Sequence, residues 1–470
     1  MPAVLTRLLF VCLVTVALAA PATAQANAHQ TMSFEAPREL VDASQRDQAF
    51  DKFQSLGASS LRVILYWQDV APSPKSAKRP KFDATDPTQY DWSRYDPILT
   101  GAARRGWSVI LTVTGPVPRW ATANKRDNLT KPSAKEFQAF MTALGKHYGS
   151  QVNTWAIWNE PNHPDFLAPQ FSAKGHKPLS PGIYRQLFLG AWRGLRAADQ
   201  GRDRMLMGET APRGTGAVVA PLTFLRGALC LSNNYVKRRT CSNLPADGYA
   251  HHAYSTRLGP FFKPPGPNDV TIGVLPRLVR ALDRAASAGA VKRGMGIYLT
   301  EFGIQSKPDP FYGVSLAQQA EYYAISERIA YRNPRVRSFS QYLLRDDDAA
   351  CCGGRYGGFE SGLEFANGKI KRPAYDGFRL PLVAMRSGGR VSLWGRVRPA
   401  RARTTAEILV ADRGKGFHRL RSVRTDTRGV WTTRTSYRKG RRWRLRWKAA
   451  DGTVFTGPPI RAYTSRGKAG

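Results

Sequence analysis

The chain has 470 residues, 42% of them hydrophobic and 11 of them tryptophan, so it can bury a large core and is not an unstructured polyelectrolyte. Lysine and arginine outnumber aspartate and glutamate 71 to 34, a formal charge of +37, which favours polyanionic partners. Beyond the first two dozen residues no stretch is long and apolar enough for a transmembrane helix.

Residues 1–24 read as a secretory signal. Arg7 supplies the positive start, residues 8–20 the short apolar run, and Ala22-Thr23-Ala24 the small-residue cleavage site. The predicted location is therefore secreted, or extracellular; a retained N-terminal anchor is the alternative. Cys12 leaves with the signal, and export permits disulfides among the other four. Cys230 and Cys241 bracket a polar, basic loop and are candidates to bridge. Cys351 and Cys352 are adjacent and either pair with each other or each pair elsewhere, so three connectivities are open.

Over residues 25–383, short apolar runs alternate with longer amphipathic ones. The runs lie near 32–34, 60–67, 108–114, 152–158, 204–208, 248–254, 296–300 and 338–344. Several are apolar almost throughout, as strands buried on both faces must be. Between them, 133–148 carries Phe137, Phe140, Met141, Leu144 and Tyr148 on one helical stripe, with Ser133 as N-cap before Glu136. Residues 181–198, 275–288 and 315–331 follow the same pattern. Eight strands alternating with helices predict an α/β fold, a (β/α)8 TIM barrel. An open doubly wound sheet is the alternative, disfavoured by the lack of a Gly-rich loop after the first strand.

From residue 384 to 470 the pattern changes to short alternating segments separated by Gly388-Gly389, Arg413-Gly414, Arg428-Gly429 and Asp451-Gly452. These predict a small all-β sandwich. Counted from Val383 to the end, 23 basic residues face 4 acidic ones, a net of +19.

Two of the apolar runs end alike. Trp155-Ala156-Ile157-Trp158-Asn159-Glu160-Pro161 closes the fourth, and Gly296-Ile297-Tyr298-Leu299-Thr300-Glu301 closes the seventh. In a barrel, the C-terminal ends of the strands converge on one mouth. Two carboxyls meeting there suit glycosidic cleavage, in which one protonates the leaving oxygen and the other meets the anomeric carbon. Arg62 lies inside an apolar strand, where an unpaired charge is costly. His252 and Tyr254 share a face by period-two alternation at the end of the sixth run. Trp67 and Trp120, and more weakly Phe261-Phe262, are candidate platforms for sugar rings or else core. Glu209 either contacts substrate or pairs with an arginine. No residue cluster points to a metal or a cofactor, and neither is expected.

Asn159-Glu160-Pro161 after the fourth strand, with Glu301 after the seventh, resembles the clan of retaining (β/α)8 glycoside hydrolases that includes the family 5 cellulases and the family 39 β-xylosidases. The resemblance spans most of residues 30–380. It implies Glu160 as acid/base, Glu301 as nucleophile and Asn159 as a partner for the sugar 2-hydroxyl. It further implies that Tyr254 bonds the nucleophile and that Arg62 pairs beside it. The eighth run departs from family 5, whose strand ends in tryptophan; here Tyr342 stands as its substitute. The resemblance implies a carbohydrate substrate, with a transglycosylase or a catalytically weak glycan-binding protein as the alternatives. For the basic C-terminal domain, a structural lid packed on the barrel is the first expectation; binding of an acidic cell-wall or matrix polymer, rather than of nucleic acid, is the alternative.

Overall fold

The computed structural model describes residues 30–174, 176–348, 357–400 and 402–467. The signal segment and Cys351-Cys352 lie outside the described residues. Eight parallel strands close into a barrel in sequence order: β1 (Thr31–Glu35), β2 (Ser60–Tyr66), β3 (Ser108–Thr114), β4 (Thr154–Ile157), β5 (Arg204–Thr210), β6 (Gly248–His252), β7 (Gly296–Glu301) and β8 (Val336–Tyr342). Closure is by β1 on β8, where Glu35 pairs with Tyr342. The predicted barrel is the observed one.

The strands are apolar throughout because both faces are covered. One face meets the helices in the main core. Inside the barrel, Ile110, Ala156, Leu206 and Ala250 form a separate small cluster. Ile110 shares its face with Thr112 and Thr114, so the interior grades from apolar to polar toward the C-terminal end. Helix Ala134–Tyr148 starts as its sequence predicts, with Ser133 accepting from the Glu136 amide. It lies against helix Ser180–Ala197 so closely that a Cβ on Gly194 would come 2.3 Å from the Gln138 carbonyl oxygen. Cys230 and Cys241 are disulfide-bonded.

After β8 the chain returns over the barrel, fastened by buried Lys371, whose Nζ reaches Asp346 (2.6 Å) and Ser306 Oγ (2.8 Å). Two four-stranded sheets follow. One has the order β13 (Val430–Ser436), β10 (Arg390–Arg396), β9 (Leu382–Ser387), β16 (Ala462–Tyr463). The other has the order β12 (His418–Arg424), β11 (Thr405–Ala411), β14 (Arg442–Lys448), β15 (Val454–Thr456). Their facing side chains, among them Trp431, Trp443, Leu393 and Ile408, make a core of their own, as a sandwich requires.

The sandwich sits on helix Leu316–Tyr331. Ala324, Ile325 and Tyr331 of the helix pack with Val383, Trp394, Val430 and Tyr463. Glu327, also on the helix, is buried between Arg398 and Arg396, the latter at 3.1 Å. A buried charge cluster of this kind holds the two units in one register, since separating them would leave Glu327 unpaired.

Candidate active site

At the C-terminal end of the barrel four strands deliver carboxylates to one place. Glu35 ends β1, Glu209 lies one residue from the end of β5, and Glu301 ends β7. Glu160 stands three residues past β4. Trp158 (φ 72°), Glu160 (φ 37°) and Glu209 (φ 47°) all adopt left-handed backbone. For residues other than glycine this costs about 1–3 kcal/mol each, and it is held where the surroundings over-determine it. Here the Glu160 amide donates to the Glu209 carbonyl (3.0 Å), the Trp158 amide to Val113 (2.9 Å) and the Asn159 amide to Thr114 Oγ1 (3.0 Å). The loop after β4 is thus clamped by both neighbouring strands, and Glu160 is turned to the mouth.

Arg62 is the hub. It is 0% exposed, in the middle of β2, and its guanidinium is fully engaged. Nη1 donates to Glu301 Oε1 (2.5 Å) and Glu35 Oε2 (2.6 Å). Nη2 donates to Asn159 Oδ1 (2.7 Å) and Glu209 Oε2 (2.8 Å), while Nε reaches Glu209 Oε1 (3.1 Å) and Thr112 Oγ1 (3.1 Å). The planar five-donor fork explains why arginine and not lysine occupies this position. Asn159 spends its oxygen on Arg62, so its amide NH2 is the end available to another partner.

On the opposite side, His252 Nδ1 lies 2.8 Å from Glu160 Oε1 and 3.5 Å from Glu301 Oε2. Tyr254 Oη donates to Glu301 Oε2 at 3.1 Å. One oxygen of Glu160, one of Glu301 and a ring nitrogen of His252 all lie within 4.8 Å of one another. Among the described residues this trio is the group that could hold a metal ion. Its imidazole is already committed between the two carboxylates. His251, next in sequence, points elsewhere: it bonds Thr210 Oγ1 (2.9 Å) and the Val270 carbonyl (2.8 Å). Burial pushes its pKa down to about 3, so it is a neutral structural residue.

The electrostatics separate the acids. Burial alone would raise the pKa of Glu301, but His252, Arg62 and Tyr254 outweigh it and hold the carboxyl below its ordinary range. Glu35 goes the other way. Burial raises it, Arg62 opposes, and the charge of Glu301 raises it further, leaving it pushed up to about 8. With the Arg62 guanidinium shared, burial and the charge of Glu301 favour the neutral form of Glu35. Glu35 Oε1 is buried with no hydrogen-bond partner among the described residues. For His252, burial lowers the pKa, but the facing charges of Glu301 and Glu160 more than restore it and set it above the ordinary imidazole value.

The structure therefore brings together Glu160, Glu301, Asn159, Arg62, His252 and Tyr254. Tyr342 is at the mouth as well, its ring edge-on to Tyr254 (6.3 Å) and to Phe359 (5.1 Å). Two candidates are corrected. Trp67 is 0% exposed and stacks face to face on Phe140 at 5.1 Å, so no ring face is free for a sugar. Trp120 is 4% exposed, edge-on to Trp67 (5.9 Å) and Phe82 (5.7 Å), with its Nε1 donating to the Pro72 carbonyl. Both rings belong to the layer between barrel and helices, where apolar burial outweighs any role at the mouth. Glu209 is a partner of Arg62 rather than a free acid. Glu35 was not anticipated, although Thr31-Met32-Ser33-Phe34-Glu35 has the same build, an apolar strand closed by glutamate, as the two stretches that were. Phe359 was also missed, because it reaches the mouth from the loop after β8.

No protein-family model and no curated protein matches the sequence. Solved structures do match the fold. A glucosidase from Croceicoccus marinus superposes with a TM-score of 0.52 at 12% identity, over 88% of this chain and 94% of that one. A monomeric β-xylosidase from Caulobacter crescentus CB15 superposes with a TM-score of 0.51 at 15% identity, over 92% and 96%. At such identities the likeness is one of fold. Among the described residues no helix is long and apolar enough to cross a membrane.

Proposed function

We propose that the chain is a retaining glycosidase that cleaves O-glycosidic bonds of an oligo- or polysaccharide. The observation that carries this reading is the spacing of Glu160 and Glu301, whose facing donor oxygens lie within 4.8 Å. Retaining enzymes hold their two carboxyls about 5–5.5 Å apart, and inverting ones leave about 6.5–9.5 Å for a water. A fold does not by itself name a reaction, so the site must do so.

In this reading Glu301 is the nucleophile. Arg62, His252 and Tyr254 keep it ionised and aimed, which a carboxylate attacking an anomeric carbon needs. Glu160 protonates the departing oxygen, a glycosyl ester forms on Glu301, and Glu160 then takes the proton from the water that hydrolyses it. Asn159 is oriented by Arg62 so that its NH2 meets a sugar hydroxyl. Tyr342 and Phe359, both half-buried at the mouth, offer aromatic surface to a sugar ring. A neutral Glu35 spares Glu301 a second negative charge at close range. Export by residues 1–24 belongs to the same proposal.

The test is hydrolysis of a panel of aryl glycosides and polysaccharides by the wild type, Glu301→Gln and Glu160→Gln. The expected result is loss of at least about three orders of magnitude for Glu301→Gln on whichever substrate the wild type cleaves. Binding of glycans with no hydrolysis by any of the three proteins would leave a glycan-binding barrel instead.

A further inference from the structure

The sandwich and the helix it rests on enclose a second concavity of about 610 Å³, lined by Arg328 and Arg332 from the end of helix Leu316–Tyr331 and by Arg390, Arg434, Trp394 and Thr433 from β10 and β13. Arg332 lies just ahead of β8, which begins at Val336, so the groove lies toward the end of the barrel away from the mouth. It is independent of the proposed chemistry.

The groove carries uncompensated charge. Arg328 and Arg332 stand four residues apart, on one face of the helix, where like charges repel. None of the four arginines has a carboxylate partner among the described residues. The nearby acids are spent elsewhere: Glu327 on Arg396 and Arg398, Asp426 on Arg428, Asp412 on Arg438 and Arg441, Glu407 on Arg446. Burial and the neighbouring Arg332 push Arg328 down to about 10, and its Nε is buried without a partner. The indole Nε1 of Trp394 is also buried without one.

We propose that this groove is an anchoring site for an acidic polysaccharide, held by carboxylate–guanidinium pairs. The arginines match spaced carboxylates, and guanidinium pairs with carboxylate through two parallel bonds. Ser387, Ser392 and Thr432 on the same wall suit the hydroxyls of a sugar chain. The volume is in the range of sites that hold small ligands. A single-stranded nucleic acid fits less well: such sites stack bases on open aromatic faces, and the rings here, Trp394 and Tyr331, are buried.

The experiment is calorimetric titration of the full chain with an oligogalacturonate. An uncharged oligosaccharide of equal length and a single-stranded oligonucleotide of equal charge serve as comparators. The proposal predicts binding of the oligogalacturonate that is at least about tenfold tighter than that of either comparator and that weakens with salt. Arg390→Gln with Arg434→Gln, both exposed, weakens it about tenfold. Arg332→Gln alone weakens it less, and the equal charge change Arg413→Gln with Lys415→Gln, in the turn after β11, changes it less than twofold. All variants keep the wild-type melting temperature. No binding of the oligogalacturonate, equal loss in the turn variant, or an oligonucleotide bound as tightly would overturn the proposal. If no glycoside is hydrolysed yet the binding pattern holds, the proposed catalysis fails and the groove stands.

Discussion

Arg62→Met is the most informative single substitution. It keeps the length and apolar stem of the side chain and removes a charge shared by Glu35, Glu209 and Glu301. Breaking a buried ion pair by removing one partner costs about 3–5 kcal/mol. Glu35 is already neutral at pH 7, so the penalty falls on Glu209 and Glu301, and we take the middle of that range, about 4 kcal/mol, as the least expected loss. With an unfolding entropy of about 2.1 cal/mol/K per residue over a barrel of roughly 350 residues, that lowers the melting temperature by about 5 °C. Activity should fall as well. Glu301 loses the 2.5 Å bond to Nη1, and Asn159 loses the partner that orients it. A loss of about 4 kcal/mol in transition-state stabilisation is roughly a thousandfold in kcat/KM. Calorimetric melting and aryl glycoside kinetics read the two effects separately. Adding Glu209→Gln to Arg62→Met removes one of the unpaired charges, and it should restore part of the stability and none of the activity. A variant that melts within about 1 °C of wild type, with unchanged kinetics, would refute the reasoning that Arg62 is what makes this carboxylate cluster tolerable.

Three further outcomes are expected. Tyr254→Phe removes one of the influences that hold Glu301 ionised, so kcat should fall about 10- to 100-fold and the acid limb of the pH–rate profile should move to higher pH. Glu35→Gln should change the pH dependence of melting. A raised native pKa means the folded state binds the extra proton between about pH 4.5 and 8, so wild-type stability falls as pH rises through that window, while the glutamine variant lacks this decline and is the more stable of the two above pH 8. Equal slopes for the two proteins would contradict it. Arg398→Met strips the buried partner from Glu327, which keeps Arg396; we expect a loss of about 3 kcal/mol, read as earlier proteolysis between barrel and sandwich, with catalysis intact in the folded fraction.

Much of the arrangement was legible because barrel strands announce themselves twice, by apolar runs and by what ends them. Glu160 and Glu301 are the first acidic residues after such runs, and parallel closure leaves them no other place to meet. Period two placed Tyr254 beside His252, and the cost of a lone buried charge marked Arg62 as paired, though not with how many partners. Glu35 escaped because its strand has five residues and was read as three. Trp67 and Trp120 misled because an aromatic at a strand's end, or in the loop beyond it, looks the same whether it turns to the mouth or to the helices. Phe140, far along the chain, decides that for Trp67. The sandwich was visible as alternation and turns, but β15 and β16 are too short to show a period, and the seating of Glu327 between two arginines depends on tertiary contact alone.

The central claim is double displacement at Glu301 with Glu160 as acid/base. Proton NMR of the first product released from an aryl glycoside that the enzyme cleaves, followed before mutarotation, tests it most directly. The account predicts that the product first appears with the anomeric configuration of the substrate. Initial release of the opposite anomer would mean direct displacement by water, and would contradict it.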